Sequence, residues 1–186
     1  IAVTGEVFVR STDFASSGLV RLIEEAGGEA ILPPFQEWIY HVNKCVWLFA
    51  RAHGKALGAW GLRAALAFLR REEAAARRAL AGLPRPPRQP ALEDVWRAAR
   101  ASGFVPWFGD ASLALGRAIA MRRMGAKGLV NLVPFGCLPG TTAEAVFAAR
   151  RAVLDGMPVL HLHVDGGASP AMREKVRALV GASRWS

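Results

Sequence analysis

A single thiol, Cys137, stands in the run Pro134-Phe135-Gly136-Cys137-Leu138-Pro139-Gly140, held between two prolines and two glycines. Proline fixes φ and glycine admits backbone that other residues avoid, so this composition specifies an irregular, rigid loop. Thr141 follows at once, with Glu144 three residues on, a spacing that predicts a capping box and a helix N-terminus. A helix N-terminus favours a thiolate through its unpaired N–H groups and its dipole. The same N–H groups can donate to the sulfurs of an iron–sulfur cluster. Three roles for Cys137 stay open at this point: a small buried side chain, a redox or nucleophilic thiol, and one ligand of a cluster whose other ligands lie elsewhere. The second needs a base or resolving partner that the sequence does not identify. One cysteine cannot hold a cubane cluster alone.

Other side chains carry weaker signals. His161 and His163 are two apart, so on a strand both point to one face, as a metal-binding pair could. With no carboxylate or third histidine placed beside them, strand packing is the favoured reading. Cys45 stands with Val42, Trp47 and Phe49 in an apolar helix and reads as core filler. Glu6 and Arg10 are expected on one face of the first strand, near its carboxyl end. They could pair with each other, or Arg10 could meet an anion such as a coenzyme A phosphate. Asp165 accepts backbone N–H bonds in its turn or supports the Cys137 loop. Glu37 and Trp38 are read as packing residues. The acidic residues show no spacing that argues for paired acid–base work.

These residues must be positioned by elements, and the pattern supplies them. Ile1 to Arg10 alternates and is rich in Val and Phe, which predicts a strand. Leu19, Leu22, Ile23 and Ala26 mark one helical face, stopped by Gly27-Gly28. Ala30-Ile31-Leu32 predicts a short buried strand ended by Pro33-Pro34. From Gln36 to about Gly82 only helix formers appear, then the proline-rich connector Pro84 to Pro90, then helices over Ala91–Ala101 and Ser112–Met124. The α/β pattern resumes with a strand over Gly128–Val133, a helix from Thr141 to Leu154, a strand over Pro158–Val164, the turn Asp165-Gly166-Gly167, and a last helix opened by Ser169-Pro170. The expected fold is therefore α/β: a Rossmann-like, mostly parallel sheet of four strands, order 2-1-3-4, helices on both faces, and a helical insertion at about 36–124. In such sheets ligands bind outside the carboxyl ends of the strands. Four loops should meet there: Ser11-Thr12-Asp13, Pro33-Pro34-Phe35, Pro134 to Gly140, and Asp165-Gly166-Gly167.

Composition bounds the partners. The chain has 186 residues, 52% of them hydrophobic, and a formal net charge of +9. Ten basic residues from Lys44 to Arg88 face only Glu72 and Glu73, so this segment carries nearly the whole excess. A solvated helix face is the first reading, and a groove for an acidic partner or a phosphate-bearing cofactor such as coenzyme A is the second. Nucleic acid is the least supported, because no aromatic interleaving or known module accompanies the charge. No apolar run is long enough for a membrane span. Two distant cysteines give neither a disulfide framework nor a local zinc site, which points to a reducing compartment, the cytoplasm. The chain starts at Ile1 and runs straight into a strand pattern, so it is expected to be a fragment of a longer protein.

The loop around Cys137 resembles the "PFGCMPG" loop of the 2-hydroxyacyl-CoA dehydratase and activase-related superfamily. That superfamily includes the large activators of 2-hydroxyglutaryl-CoA dehydratase and the double-cubane cluster proteins. Thr4-Gly5-Glu6-Val7-Phe8-Val9-Arg10 is similar to the family's "GEIYVR" strand. Leu32-Pro33-Pro34-Phe35-Gln36-Glu37-Trp38-Ile39 resembles its "PP-x-x-EW" segment, and Val164-Asp165-Gly166 its terminal "DG" turn. The four matches fall in order across nearly the whole chain. The resemblance implies a role in ATP-driven, low-potential electron transfer, in which an activase ATPase domain passes an electron to a clustered dehydratase or reductase component. It implies that this chain is the C-terminal domain of such a component, that Cys137 ligates an iron–sulfur cluster, and that Gly136 and Gly140 join it in the cofactor-binding loop. Leu138 departs from the usual Met, and His161 and His163 stand where hydroxyl or aliphatic residues are expected. No companion cysteine motif is present, so the isolated chain should hold no complete cluster. Two other functions remain in play: a cluster-free domain that docks an activase or closes a homodimer, and a coenzyme-A-binding module built on the basic helices.

Overall fold

The computed structural model describes residues 1–82, 89–103, 110–165 and 170–184, with side chains at 56–59 and 77 left aside. The chain divides into two compact units, one of residues 1–35 and 90–186, the other of residues 36–89.

The first unit is an α/β layer structure around a three-stranded parallel sheet. Strand β1 (Ala2–Gly5) pairs with β2 (Leu129–Pro134), and β2 pairs with β3 (Val159–Val164), in the order β1-β2-β3. Parallel strands cannot be joined by tight turns, so helices carry the connections and cover both faces. Alternation sorts the strand residues. Ala2, Leu129 and Val159 face the helices α5 (Leu92–Ala101), α6 (Asp110–Arg123) and α7 (Leu138–Ala149), with Leu115, Met121, Ala143 and Phe147 filling that layer. Val3, Val130, Leu132 and Leu162 face the other way, onto α2 (Leu19–Glu25) and α8 (Pro170–Ser183), where Ile23, Val176 and Val180 are buried. Each such large apolar side chain contributes about 1.5–3 kcal/mol by leaving water.

Three expectations are corrected. The first strand stops at Gly5 and does not reach Arg10, because Gly5 takes φ 113° and a short helix α1 (Val7–Ser11) begins at once. The strand expected at Ala30–Leu32 is a single parallel bridge: the Ile31 N–H donates to the Ile1 carbonyl at 2.8 Å, and the Val3 N–H to the Ile31 carbonyl at 3.0 Å. The helix after β2 starts at Leu138, three residues before the expected capping box, with Pro139 in its first turn. A 3-10 turn (Arg151–Leu154) then leads to β3.

The second unit holds α3 (Phe35–Ala52) from Gln36 onward and α4 (Ala56–Leu80). Arg51 lies over the Trp47 ring and Arg63 over Trp60, each 5.5 Å from the ring centre, so part of the basic charge rests on aromatic faces. Most of the Pro84–Pro90 connector, with Gly166, Gly167 and Ser169, lies outside the described residues.

Candidate functional site

The carboxyl edge of the sheet is built by close backbone approach. A Cβ on Gly5 would lie 2.0 Å from the Leu132 carbonyl oxygen, so only glycine lets β1 pass this near β2. Glu6 follows, and its N–H donates to the same Leu132 carbonyl at 3.1 Å. Its carboxylate accepts from the N–H groups of Phe8 at 3.1 Å and Val9 at 2.8 Å, which makes it the N-cap of α1. Arg10 is buried, and its Nη1 donates to the Pro33 carbonyl at 2.8 Å. The expected strand pairing of Glu6 with Arg10 is thus replaced by two separate tasks: one side chain starts a helix, and the other ties that helix to the Pro33-Pro34 segment. Glu6, not Ser11-Thr12-Asp13, occupies the edge after β1.

Cys137 stands at the same edge, after β2. The Phe135 N–H donates to the Val164 carbonyl at 3.2 Å and the Cys137 N–H to the Pro134 carbonyl at 3.0 Å, closing a tight turn in which Gly136 takes φ 74°. The thiol is half-buried at the N-cap of α7, and the Cys137 side chain itself makes no capping hydrogen bond. The Thr141 hydroxyl donates back to the Cys137 carbonyl at 3.0 Å, as does its N–H, so Thr141 belongs to the helix and does not begin it. Gly140 is buried, and a Cβ there would lie 2.5 Å from Val133 Cγ1, which draws the first turn of α7 down onto β2. Phe135 and Leu138, on either side of the thiol, are 88% and 76% exposed. Asp165, at the end of β3, is exposed. Cys45 is half-buried in α3 with its Sγ 3.7 Å from His41 Nε2, one turn earlier.

A polar row crosses the sheet below this edge, and sequence reasoning missed it. Thr4, Asn131 and His161 are partners in register on β1, β2 and β3. The Thr4 hydroxyl lies 3.4 Å from Asn131 Oδ1 and 3.5 Å from the Val130 carbonyl, and Asn131 Nδ2 lies 3.3 Å from His161 Nδ1. Thr4 and Asn131 are 2% and 0% exposed, so these bonds replace water. A carboxylate does stand beside the histidines. Glu144 of α7 places Oε2 3.0 Å from His163 Nε2, which the early helix start makes possible. Burial holds the His161 imidazole below its ordinary 6.5; the charge of Glu144 opposes this shift and His163 adds to it. The available signal was an asparagine inside an otherwise apolar strand, Leu-Val-Asn-Leu-Val.

Among the described residues, no three His, Cys, Asp or Glu side chains are grouped so that they could hold a metal ion. No described helix is long and apolar enough to cross a membrane. Comparison with family models, with curated proteins and with solved structures gives no match.

Proposed function

We propose that the chain is the C-terminal α/β domain of an activase- or dehydratase-like iron–sulfur protein, working in ATP-driven, low-potential electron transfer. The observation that carries this reading is the placement of Cys137: half-buried, at the N-cap of α7, on a glycine–proline loop at the carboxyl edge of a parallel sheet. That is where main-chain N–H groups can meet the sulfur of a cluster ligand. Cys137 fits one ligand's share. The remaining ligands would come from the rest of the longer protein, and an activase ATPase domain would be the electron donor. Glu6, Arg10 and Asp165 would act as supports of the edge, not as ligands. Within this reading, Ile31 is the rudiment of a fourth strand beside β1, which supports the order 2-1-3-4.

The test is anaerobic reconstitution of the full-length protein, counting iron and sulfide for wild type and Cys137→Ala. Wild type should take up a cluster and the alanine variant should assemble a deficient one. No iron in wild type, or normal assembly and reduction in the variant, would overturn the ligand role. A second reading, a cluster-free domain that docks an activase or a second copy, is favoured by the exposure of Phe8, Phe135 and Leu138. It predicts that substituting these side chains weakens association while the iron content stays unchanged.

A further inference from the structure

A cavity of about 520 Å³ opens beside β3, lined by Glu144, Phe147 and Ala148 of α7, by Arg151 and Leu154 of the 3-10 turn, and by the segment from Gly156 to Val159 with His161. It is served by the later half of α7, away from Cys137 at that helix's start. Its size is within the range of small-molecule sites, and its walls are mostly apolar with a few polar groups, the composition such sites have. The three polar groups differ in what they offer. Arg151 brings a guanidinium, which binds carboxylates in a fork. Glu144 brings a negative charge already engaged by His163 at 3.0 Å. His161 brings a donor of fixed identity: Asn131 Nδ2 donates to its Nδ1, so a neutral ring keeps its proton on Nε2. The buried row behind it holds that arrangement in place.

We infer that this cavity binds a small monocarboxylic acid with an apolar, arylalkyl-sized body. The carboxylate accepts from Arg151 and from the His161 Nε2–H, while Phe147, Leu154, Met157 and Val159 cover the body. The inference stands on these residues alone and does not depend on the role of Cys137.

Titration calorimetry of the whole chain with phenylbutanoate tests it, with phenylbutanamide and phenylbutylamine as probes of charge. The acid should bind saturably at one site, with the amide at least about tenfold weaker, the size of one good polar contact. Arg151→Gln should weaken the acid by a similar factor. Glu144→Gln should tighten it a few-fold, because it removes a like charge from the wall. Ala148 is exposed, so Ala148→Trp can fill the cavity without disturbing the core and should abolish binding with the circular dichroism unchanged. The proposal is overturned if the acid shows no saturable binding, if the amine binds more tightly than the acid, or if Arg151→Gln and Ala148→Trp both bind like wild type.

Discussion

Asn131 and His161 stand in register on adjacent parallel strands, and the Asn131 amide donates to His161 Nδ1 at 3.3 Å. The other end of the same amide faces the Thr4 hydroxyl. One fully buried side chain therefore satisfies polar groups on both neighbouring strands.

Replacing Asn131 with Leu keeps the volume and leaves the Thr4 hydroxyl and His161 Nδ1 without it. The loss should be about 1–3 kcal/mol, the cost of leaving a buried polar group unsatisfied. Urea unfolding of the variant checks this. Thr4→Val, which removes one end of the row, should cost less than Asn131→Leu.

Protonation of His161 gives a pH dependence of definite sign. Burial holds its folded value below 6.5, so between that value and 6.5 the unfolded chain binds more protons than the folded one. Stability from this group is complete above about pH 6.5 and falls as pH drops through the window. Denaturant midpoints measured across this range should decline on acidification, and His161→Gln should flatten the decline. An unchanged slope in the variant would assign the pH dependence to other groups.

Glu144 raises the His161 value against the effect of burial. In Glu144→Gln, proton NMR of the imidazole should therefore show His161 titrating at a lower pH than in wild type. The stability change should be small, under about 1 kcal/mol, because the partners Glu144 and His163 are both partly exposed.

Glycine substitutions rank by what the new methyl meets. At Gly140 it meets the branched, stiff side chain of Val133, and Gly140→Ala should cost about 1–3 kcal/mol, as overpacking does. At Gly5 it meets backbone, the Leu132 carbonyl, at a φ that alanine avoids, so Gly5→Ala should be the more damaging. Thermal melts of the two variants give the order. Val133→Ala added to Gly140→Ala should recover part of the loss, and added to Gly5→Ala should recover none.

The β2 and β3 strands and the turn around Cys137 were legible, because short runs rich in Val and Leu, bounded by glycine and proline, have few other solutions. Val7 to Arg10 was not. Its alternation mimics a strand, while Glu6 caps a helix turn in place of the more usual short polar residues. The Thr141–Glu144 spacing suits a capping box, yet Pro139 is accepted in the first turn, so the helix starts earlier and Glu144 is free to face His163. Helices α5 and α6 belong with the sheet, although their sequence gave no sign of it. From Ala111 to Met121 every residue of α6 is buried, which erases the one-sided pattern that marks a surface helix. The histidine pair was seen without its carboxylate, because Glu144 joins it through tertiary packing and not through spacing.

The row from Thr4 to His161 also bears on the order of assembly. Thr4 and Asn131 are 127 residues apart, whereas Asn131 and His161 are separated by 30. Of the three strands β1 is made first, yet its partner β2 emerges only after the helices from α1 to α6 have been translated. The β2-α7-β3 segment closes over a short loop, while β1 can meet only the nearby Ile31 segment until β2 is made. The first of the three strands to be made thus joins a sheet whose central register is set by residues made long after it.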